Sequence, residues 1–214
     1  MVSASEVYQG QFGEFTIDES DRKGVIIYRA GLMVAALCFA AGSGLVLFSN
    51  NPDIYWLLTP LYTGFGIALG VSLLTIHIYM AVLHRVLQAF WLIGAISAFA
   101  VAHTDPEPFV VTVYTNPLTI LGVGFTFAAL TGIFFKEAFC FNRFETKFLT
   151  FIVPSLLLGH MLGVLPLLGE KVLLGIWASL FLVFAARKVV QEIPPDIGDK
   201  SVFDYLKTKR SVST

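Results

Sequence analysis

The chain has little charge. Asp, Glu, Lys and Arg together make up 14% of its 214 residues, whereas soluble globular proteins contain about a quarter of such residues. Hydrophobic residues account for 56% of the chain, and its mean hydropathy is +0.77. These values exclude an ordinary soluble domain. The sequence also has no basic patch with interleaved aromatic residues, so we predict no nucleic-acid partner.

The sequence lacks a catalytic signature. It contains no HExxH, GxSxG, GxGxxG or phosphate-binding loop, and its two cysteines do not have the spacing of metal ligands. We therefore predict that the protein is not an enzyme, with no catalytic residue and no metal site. One enzymatic alternative stays open, namely a site built at the level of the lipid headgroups from residues such as His84, Arg85 and Glu137.

The apolar blocks lack ionisable residues at depth. Ion-coupled transporters and proton pumps usually keep at least one such group within the membrane, because it binds or relays the coupling ion. Here the one deep titratable side chain is His160. Because no Asp, Glu, Lys or Arg accompanies it at this depth, the sequence argues against an ion-coupled pump.

The sequence does contain long apolar runs. Six blocks of about twenty residues are separated by short polar breaks, which is typical of transmembrane helices. We predict an all-α fold, a polytopic membrane bundle of six transmembrane helices. Residues 1–24 form a polar N-terminal arm, residues 25–188 the transmembrane domain, and residues 189–214 a C-terminal tail. In the arm, Asp18 and Asp21 resemble a capping box, so we expect the first helix to begin before the membrane.

The basic residues are distributed unevenly around these six blocks. Thirteen of the 14 Lys and Arg residues fall on one side of the predicted membrane, and the exception is Lys171. Because loops rich in Lys and Arg stay on the cytoplasmic side, this predicts that both termini are cytoplasmic. Membrane lipid is then the first partner of the chain.

The fourth break, from Lys136 to Lys147, is the most distinctive polar segment of the sequence. It mixes charged residues with aromatic ones, and we expect Arg143 to form a fork with Glu137 or with a lipid phosphate. We consider it a candidate surface for docking a partner; the alternative is an interfacial loop whose charges pair and whose rings enter the headgroup layer. The candidate docking residues are Glu137, Phe139, Phe141, Arg143 and Glu145.

His160 lies between two glycines, Gly159 and Gly163, that leave room for a flat ligand against the backbone. It is a candidate axial ligand for the magnesium of a chlorophyll or the iron of a haem. The alternative is a neutral imidazole that is hydrogen-bonded to a backbone carbonyl of a neighbouring helix. The sequence leaves both interpretations open.

Four stretches carry a resemblance to a known family. They are YQGQFGEF at residues 8–15, IYR at residues 27–29, KEAFCF at residues 136–141 and IPPDIGDK at residues 193–200. With them the chain resembles a family of uncharacterised integral membrane proteins that is best represented in cyanobacteria. The resemblance implies a thylakoid or plasma membrane of an oxygenic phototroph, and it supplies no activity.

Two functions from different classes follow as hypotheses. The first is a non-enzymatic accessory or assembly protein of a photosynthetic membrane, which docks a photosynthetic complex through its arm, fourth break and tail. The second is a permease or channel for a small uncharged solute, which requires a polar stripe through the bundle. The side chains for that stripe are Thr59, Thr63, Ser72, Thr75, Thr126 and Thr131.

Overall fold

The computed structural model describes residues 6–49, 51–78, 80–202 and 205. It is mostly helical, with one short antiparallel hairpin at the start. The strands are β1 (Val7–Gly10) and β2 (Gly13–Thr16). The helices are α1 (Glu19–Phe48), α2 (Ile54–Thr75), α3 (Ala81–Thr104), α4 (Phe109–Thr115), α5 (Ile120–Phe141, after a 3-10 turn at Pro117–Thr119), α6 (Phe144–Met161), α7 (Leu167–Val190) and α8 (Pro194–Ile197).

Five of the helices are long and apolar enough to cross a membrane. They are α1, α2, α3, α5 and α7. The sixth long helix, α6, has 18 residues and includes Pro154. It carries Glu145 and Lys147 near its start, and it has no 18-residue stretch as apolar as those of the other five. The multispan helical bundle predicted from the sequence is thus observed, with five candidate spans and α6 beside them.

The six long helices form a closed ring. α1 packs between α2 and α7, α3 packs against α2 and α5, and α6 packs between α5 and α7. We call the end where α1 begins and α7 finishes the basic end, and the other the opposite end. Close approaches hold the ring together. Gly94 on α3, for example, lies so near α5 that a Cβ there would stand 2.3 Å from the backbone nitrogen of Thr126.

A capping box starts the first helix, as predicted. The Asp18 carboxylate accepts a hydrogen bond from the backbone N–H of Asp21, and the Asp21 carboxylate accepts one from the N–H of Asp18. α1 therefore begins at Glu19, six residues before the predicted edge of the membrane domain. Ahead of it, β1 and β2 pair with Val7 opposite Thr16. A small apolar cluster of Ile17, Val25 and Ile197 joins the hairpin to α8.

The fourth break is not an extended loop. α5 continues to Phe141, Asn142 adopts a left-handed conformation with φ of 51°, and α6 begins at Phe144. The predicted loop is wrong in this respect. The two helices extend beyond the apolar run because their polar ends find partners within the protein, as described next.

Candidate functional site

A cluster of buried charges lies at the basic end of the ring. The ammonium of Lys188 on α7 stands 2.7 Å from Glu137 Oε2 on α5, and it also pairs with Asp196 on α8. The guanidinium of Arg29 on α1 donates to Asp196 Oδ2 at 2.6 and 2.8 Å. Lys188 and Glu137 are both 0% exposed. Charges so buried are tolerated when they are paired and hydrogen-bonded.

Further hydrogen bonds complete this cluster, which we define as Arg29, Glu137, Lys188 and Asp196. Arg29 donates to the carbonyl oxygen of Gln191 at 2.5 Å and to that of Glu192 at 2.8 Å. The hydroxyl of Tyr28 donates to Glu137 Oε1 at 3.3 Å. Lys136 contacts the same oxygen at 2.9 Å. The cluster thereby connects α1, α5, α7 and α8 at one point.

The predicted docking residues differ in their burial and in their contacts near this charge cluster. The Phe141 ring faces Lys188, whose Nζ lies 4.2 Å from the ring centroid. Arg143 donates to the side-chain oxygen of Gln191, and Glu145 accepts from Arg187 at 2.8 Å. Glu137 and Glu145 are buried, whereas Phe139 is 84% exposed. Four of the five thus contact groups of their own chain, and Phe139 presents its ring to the surroundings.

The arm and the tail meet directly at the basic end. Asp199 accepts a hydrogen bond from the backbone N–H of Gln11 at 2.6 Å, and Ser201 Oγ accepts one from the N–H of Phe12 at 3.1 Å. Lys200 pairs with Asp21 at 2.6 Å. The backbone N–H of Gln11, together with the Ser201 hydroxyl, holds the pKa of Asp199 below its ordinary value. One continuous surface is formed by the hairpin, α8 and the α5–α6 turn, and the charge cluster lies beneath it. We call this surface the platform.

Sequence reasoning missed the partners of the predicted residues. The sequence did not identify Arg29, Lys188 and Asp196 as those partners, although Arg29 and Asp196 lie in two of the stretches that carry the family resemblance. A third stretch contains Glu137. These three stretches are far apart in the sequence, yet they meet in one charge cluster. The signal that the sequence offered was that each of them carries the family resemblance.

His160 lies at the opposite end, with both ring nitrogens in contact with the protein. Nδ1 stands 2.7 Å from Glu170 Oε1 on α7, and Nε2 stands 3.0 Å from the backbone carbonyl oxygen of Tyr114 on α4. Tyr114 also stacks on the imidazole at 4.6 Å and donates its hydroxyl to Glu170 Oε2 at 3.0 Å. Burial, with that hydrogen bond, raises the pKa of the Tyr114 phenol. An axial ligand needs a free ring nitrogen, so this arrangement does not fit chlorophyll or haem ligation.

A cavity of about 680 Å³ adjoins His160. It lies between α1, α2, α4, α5, α6 and α7 in the half of the bundle away from the charge cluster. Aromatic rings form its deep wall, with Phe39 and Trp177 in contact at 4.3 Å between centroids. Its outer residues include the partly exposed Tyr114 and Leu167, so the cavity reaches the surface at the opposite end. A closely packed layer follows towards the basic end, built from Leu69, Leu73, Phe134, Phe181 and Phe184.

Comparison with family models settles the class of the protein. Residues 71–205 match the model of the family described as uncharacterized integral membrane protein (DUF2301). The chain belongs to this integral membrane protein family. The matched region contains Glu137, Lys188, Asp196 and His160, and it begins after α1. No curated protein and no solved structure matches the chain.

Proposed function

We propose that α6 is a sixth transmembrane helix and that both termini lie in the cytoplasm. α6 and α7 run antiparallel, since Glu145 contacts Arg187 at the basic end and His160 contacts Glu170 at the opposite end. Eighteen helical residues extend about 27 Å, close to the roughly 30 Å of a hydrocarbon core. Six spans return the chain to the side on which it starts, which agrees with the uneven distribution of Lys and Arg.

We further propose that the protein is a non-enzymatic accessory or assembly protein that docks a partner on its platform. The observation that carries this proposal is the charge cluster: it joins the hairpin side of α1, the α5–α6 turn and α8 into one prearranged surface. A surface ordered before binding loses little conformational entropy when a partner arrives. The family resemblance supports a thylakoid or plasma membrane of an oxygenic phototroph as the setting, with a photosynthetic complex as the partner.

Phe139 is the residue of the docking set that a partner would meet first. Its ring is 84% exposed beside the charge cluster, and buried aromatic anchors dominate many interfaces. A photo-reactive phenylalanine analogue at position 139 should therefore crosslink to a protein partner in the native membrane. The matched control is the same analogue at Phe99, which is 66% exposed on α3. Crosslinks to lipid alone at position 139 would contradict docking through this residue.

A permease or channel for a small uncharged solute is the second candidate function. The cavity at the opposite end favours it, because transport needs an entry vestibule. None of the six hydroxyl residues proposed for a polar stripe lines this cavity. Ser72, for example, donates to the backbone oxygen of Tyr28, and Thr131 donates to that of Phe127 within its own helix. Flux of uncharged solutes into liposomes above the rate of empty liposomes is the result that would favour transport.

A further inference from the structure

We propose that the cavity at the opposite end binds a single-chain amphiphile with one negative charge, of which a long-chain fatty acid is the simplest case. The head would lie beside Lys171, and the chain would extend towards Trp177. Both residues line the cavity. The proposal is independent of partner docking, because it concerns the other end of the bundle.

The charge at the cavity mouth follows from hydrogen-bond chemistry. His160 Nε2 faces a carbonyl oxygen, which only accepts, so Nε2 carries a hydrogen. Nδ1 stands 2.7 Å from Glu170 Oε1, so the Glu170 carboxylate has the imidazole as its partner. Lys171, the next residue along α7, brings its ammonium to the mouth of the cavity.

Lys171 is also free to bind an anion. No carboxylate of the described residues lies within 4.0 Å of its ammonium. Its neighbour Glu170 is occupied by His160 and Tyr114, which hold the carboxylate on both oxygens. This is the single basic residue on the predicted outer side of the chain. Its position at the mouth of an apolar cavity gives that exception a chemical role.

The walls fit a hydrocarbon chain. Glu170, Leu174 and Trp177 line the cavity at successive turns of α7, which is about 10 Å along the helix axis. The aliphatic and aromatic residues on the facing helices include Leu58, Phe65 and Phe127. Below them the packed layer closes the bundle. The volume lies within the range of small-molecule sites, roughly 300 to 1,000 Å³. A cavity that is charged at its mouth, apolar along its length and closed at its floor suits a head-and-tail ligand.

Binding of radiolabelled hexadecanoate and of hexadecanol to the purified full chain in a non-ionic detergent tests the proposal. We expect saturable binding of hexadecanoate, about tenfold weaker in Lys171→Gln because a hydrogen bond to a charged group is lost. Hexadecanol should bind both proteins equally. The matched control is Lys23→Gln, which removes an exposed Lys at the basic end and should change neither affinity.

A second measurement locates the chain of the ligand. Hexadecanoate that is brominated along its chain should quench the indole fluorescence of the wild type by contact with Trp177. In Trp177→Phe this part of the quenching should be lost, whereas it should persist in Trp56→Phe, whose indole is 61% exposed and outside the cavity. Absence of saturable hexadecanoate binding, equal weakening of acid and alcohol in Lys171→Gln, or unchanged quenching in Trp177→Phe would each overturn the proposal.

Discussion

Asp196 is the residue on which the basic end depends most. It is 4% exposed, and it accepts charged hydrogen bonds from both Arg29 and Lys188. Without it, Lys188 keeps the Glu137 carboxylate as its partner, whereas Arg29 keeps only the backbone carbonyl oxygens of Gln191 and Glu192. Removing one partner of a buried ion pair costs about 3 to 5 kcal/mol, because the remaining charge loses its compensation.

We predict that Asp196→Ala lowers the free energy of unfolding by about 3 kcal/mol, the lower end of that range, because Lys188 retains Glu137. The measurement is the apparent melting temperature in detergent micelles. Asp53→Ala is the matched control, since Asp53 is exposed at the opposite end and its side chain makes no cap hydrogen bond. Equal melting temperatures for both variants would contradict a structural role for the charge cluster.

Asp199 makes the attachment of the arm depend on pH. Its pKa is lower in the folded protein than the ordinary value of 3.8. A carboxyl group of this kind contributes fully to stability above its unfolded pKa, and the contribution disappears as the pH falls through the folded value. We therefore expect the hairpin to separate from the tail as acidification proceeds below about pH 4.

Limited pepsin cleavage next to Phe12 across the acid range measures this separation. In Asp199→Asn the cleavage should be faster at the upper end of that range and should depend less on pH. Asp53→Asn again provides the control. Cleavage of the wild type and of Asp199→Asn with one common pH dependence would show that this hydrogen bond does not hold the arm.

At the residue level the sequence allowed the local contacts to be predicted. The capping box of Asp18 and Asp21 is confirmed, because its two partners are three residues apart. Arg143 was expected to form a fork with Glu137 or with a lipid phosphate, yet it donates to Gln191, 48 residues away, and lies 3.6 Å from Glu145 Oε1. A contact at that separation depends on which helix faces meet, and a single sequence does not contain that information.

Among the glycines of the described residues, Gly94 on α3 has the closest approach to the backbone of a neighbouring helix, that of α5. A Cβ at Gly94 would stand 2.2 Å from Thr126 Oγ1 and 2.3 Å from the backbone nitrogen of the same residue. We predict that Gly94→Ala lowers the free energy of unfolding by about 1 to 3 kcal/mol, since α3 must move away from α5. Gly66→Ala is its control, because no atom lies within 4 Å of a Cβ there. A thermal shift in detergent of the same size for both variants would contradict the close approach.

The lengths of the helices were hard to predict from the sequence. The apolar run of α5 was expected to finish at Phe135, yet the helix continues for six more residues to Phe141. Hydropathy reports where a chain is apolar, and it does not report where polar turns remain helical. The polar last turns of α5 remain helical because Glu137 is fully buried, with 0% exposure, and is paired with Lys188.

For the whole molecule, the predicted topology can be tested with its own cysteines. Cys140 is exposed at the basic end, whereas Cys38 lies within α1 and lines the cavity. In a Cys38→Ser background, a membrane-impermeant maleimide should label Cys140 only after the membrane is opened. In Lys171→Cys with Cys38 and Cys140 both replaced by Ser, labelling should occur from the other face of the membrane, because α6 separates this position from Cys140. Labelling of both positions from the same side would contradict six spans.

The class of the fold could be predicted from the sequence, whereas the arrangement of the helices in the ring could not. Six apolar blocks and an uneven charge distribution were enough to predict a membrane bundle of helices. The cavity, however, arises from faces of six different helices, with residues as distant as Phe39 and Trp177 in contact. Likewise, His160 was identified from its place in the sequence, but its two partners Glu170 and Tyr114 were found only in the folded bundle.

Docking of a partner on the platform, in a photosynthetic membrane, is the function proposed for the whole molecule. It can be tested by native-gel migration of the tagged protein after mild solubilisation of its own membranes, with absorption recorded on its band. We predict co-migration with a photosystem or an assembly intermediate, which weakens in Phe139→Ala and persists in Phe99→Ala. A small, colourless band that contains this protein alone would contradict the claim.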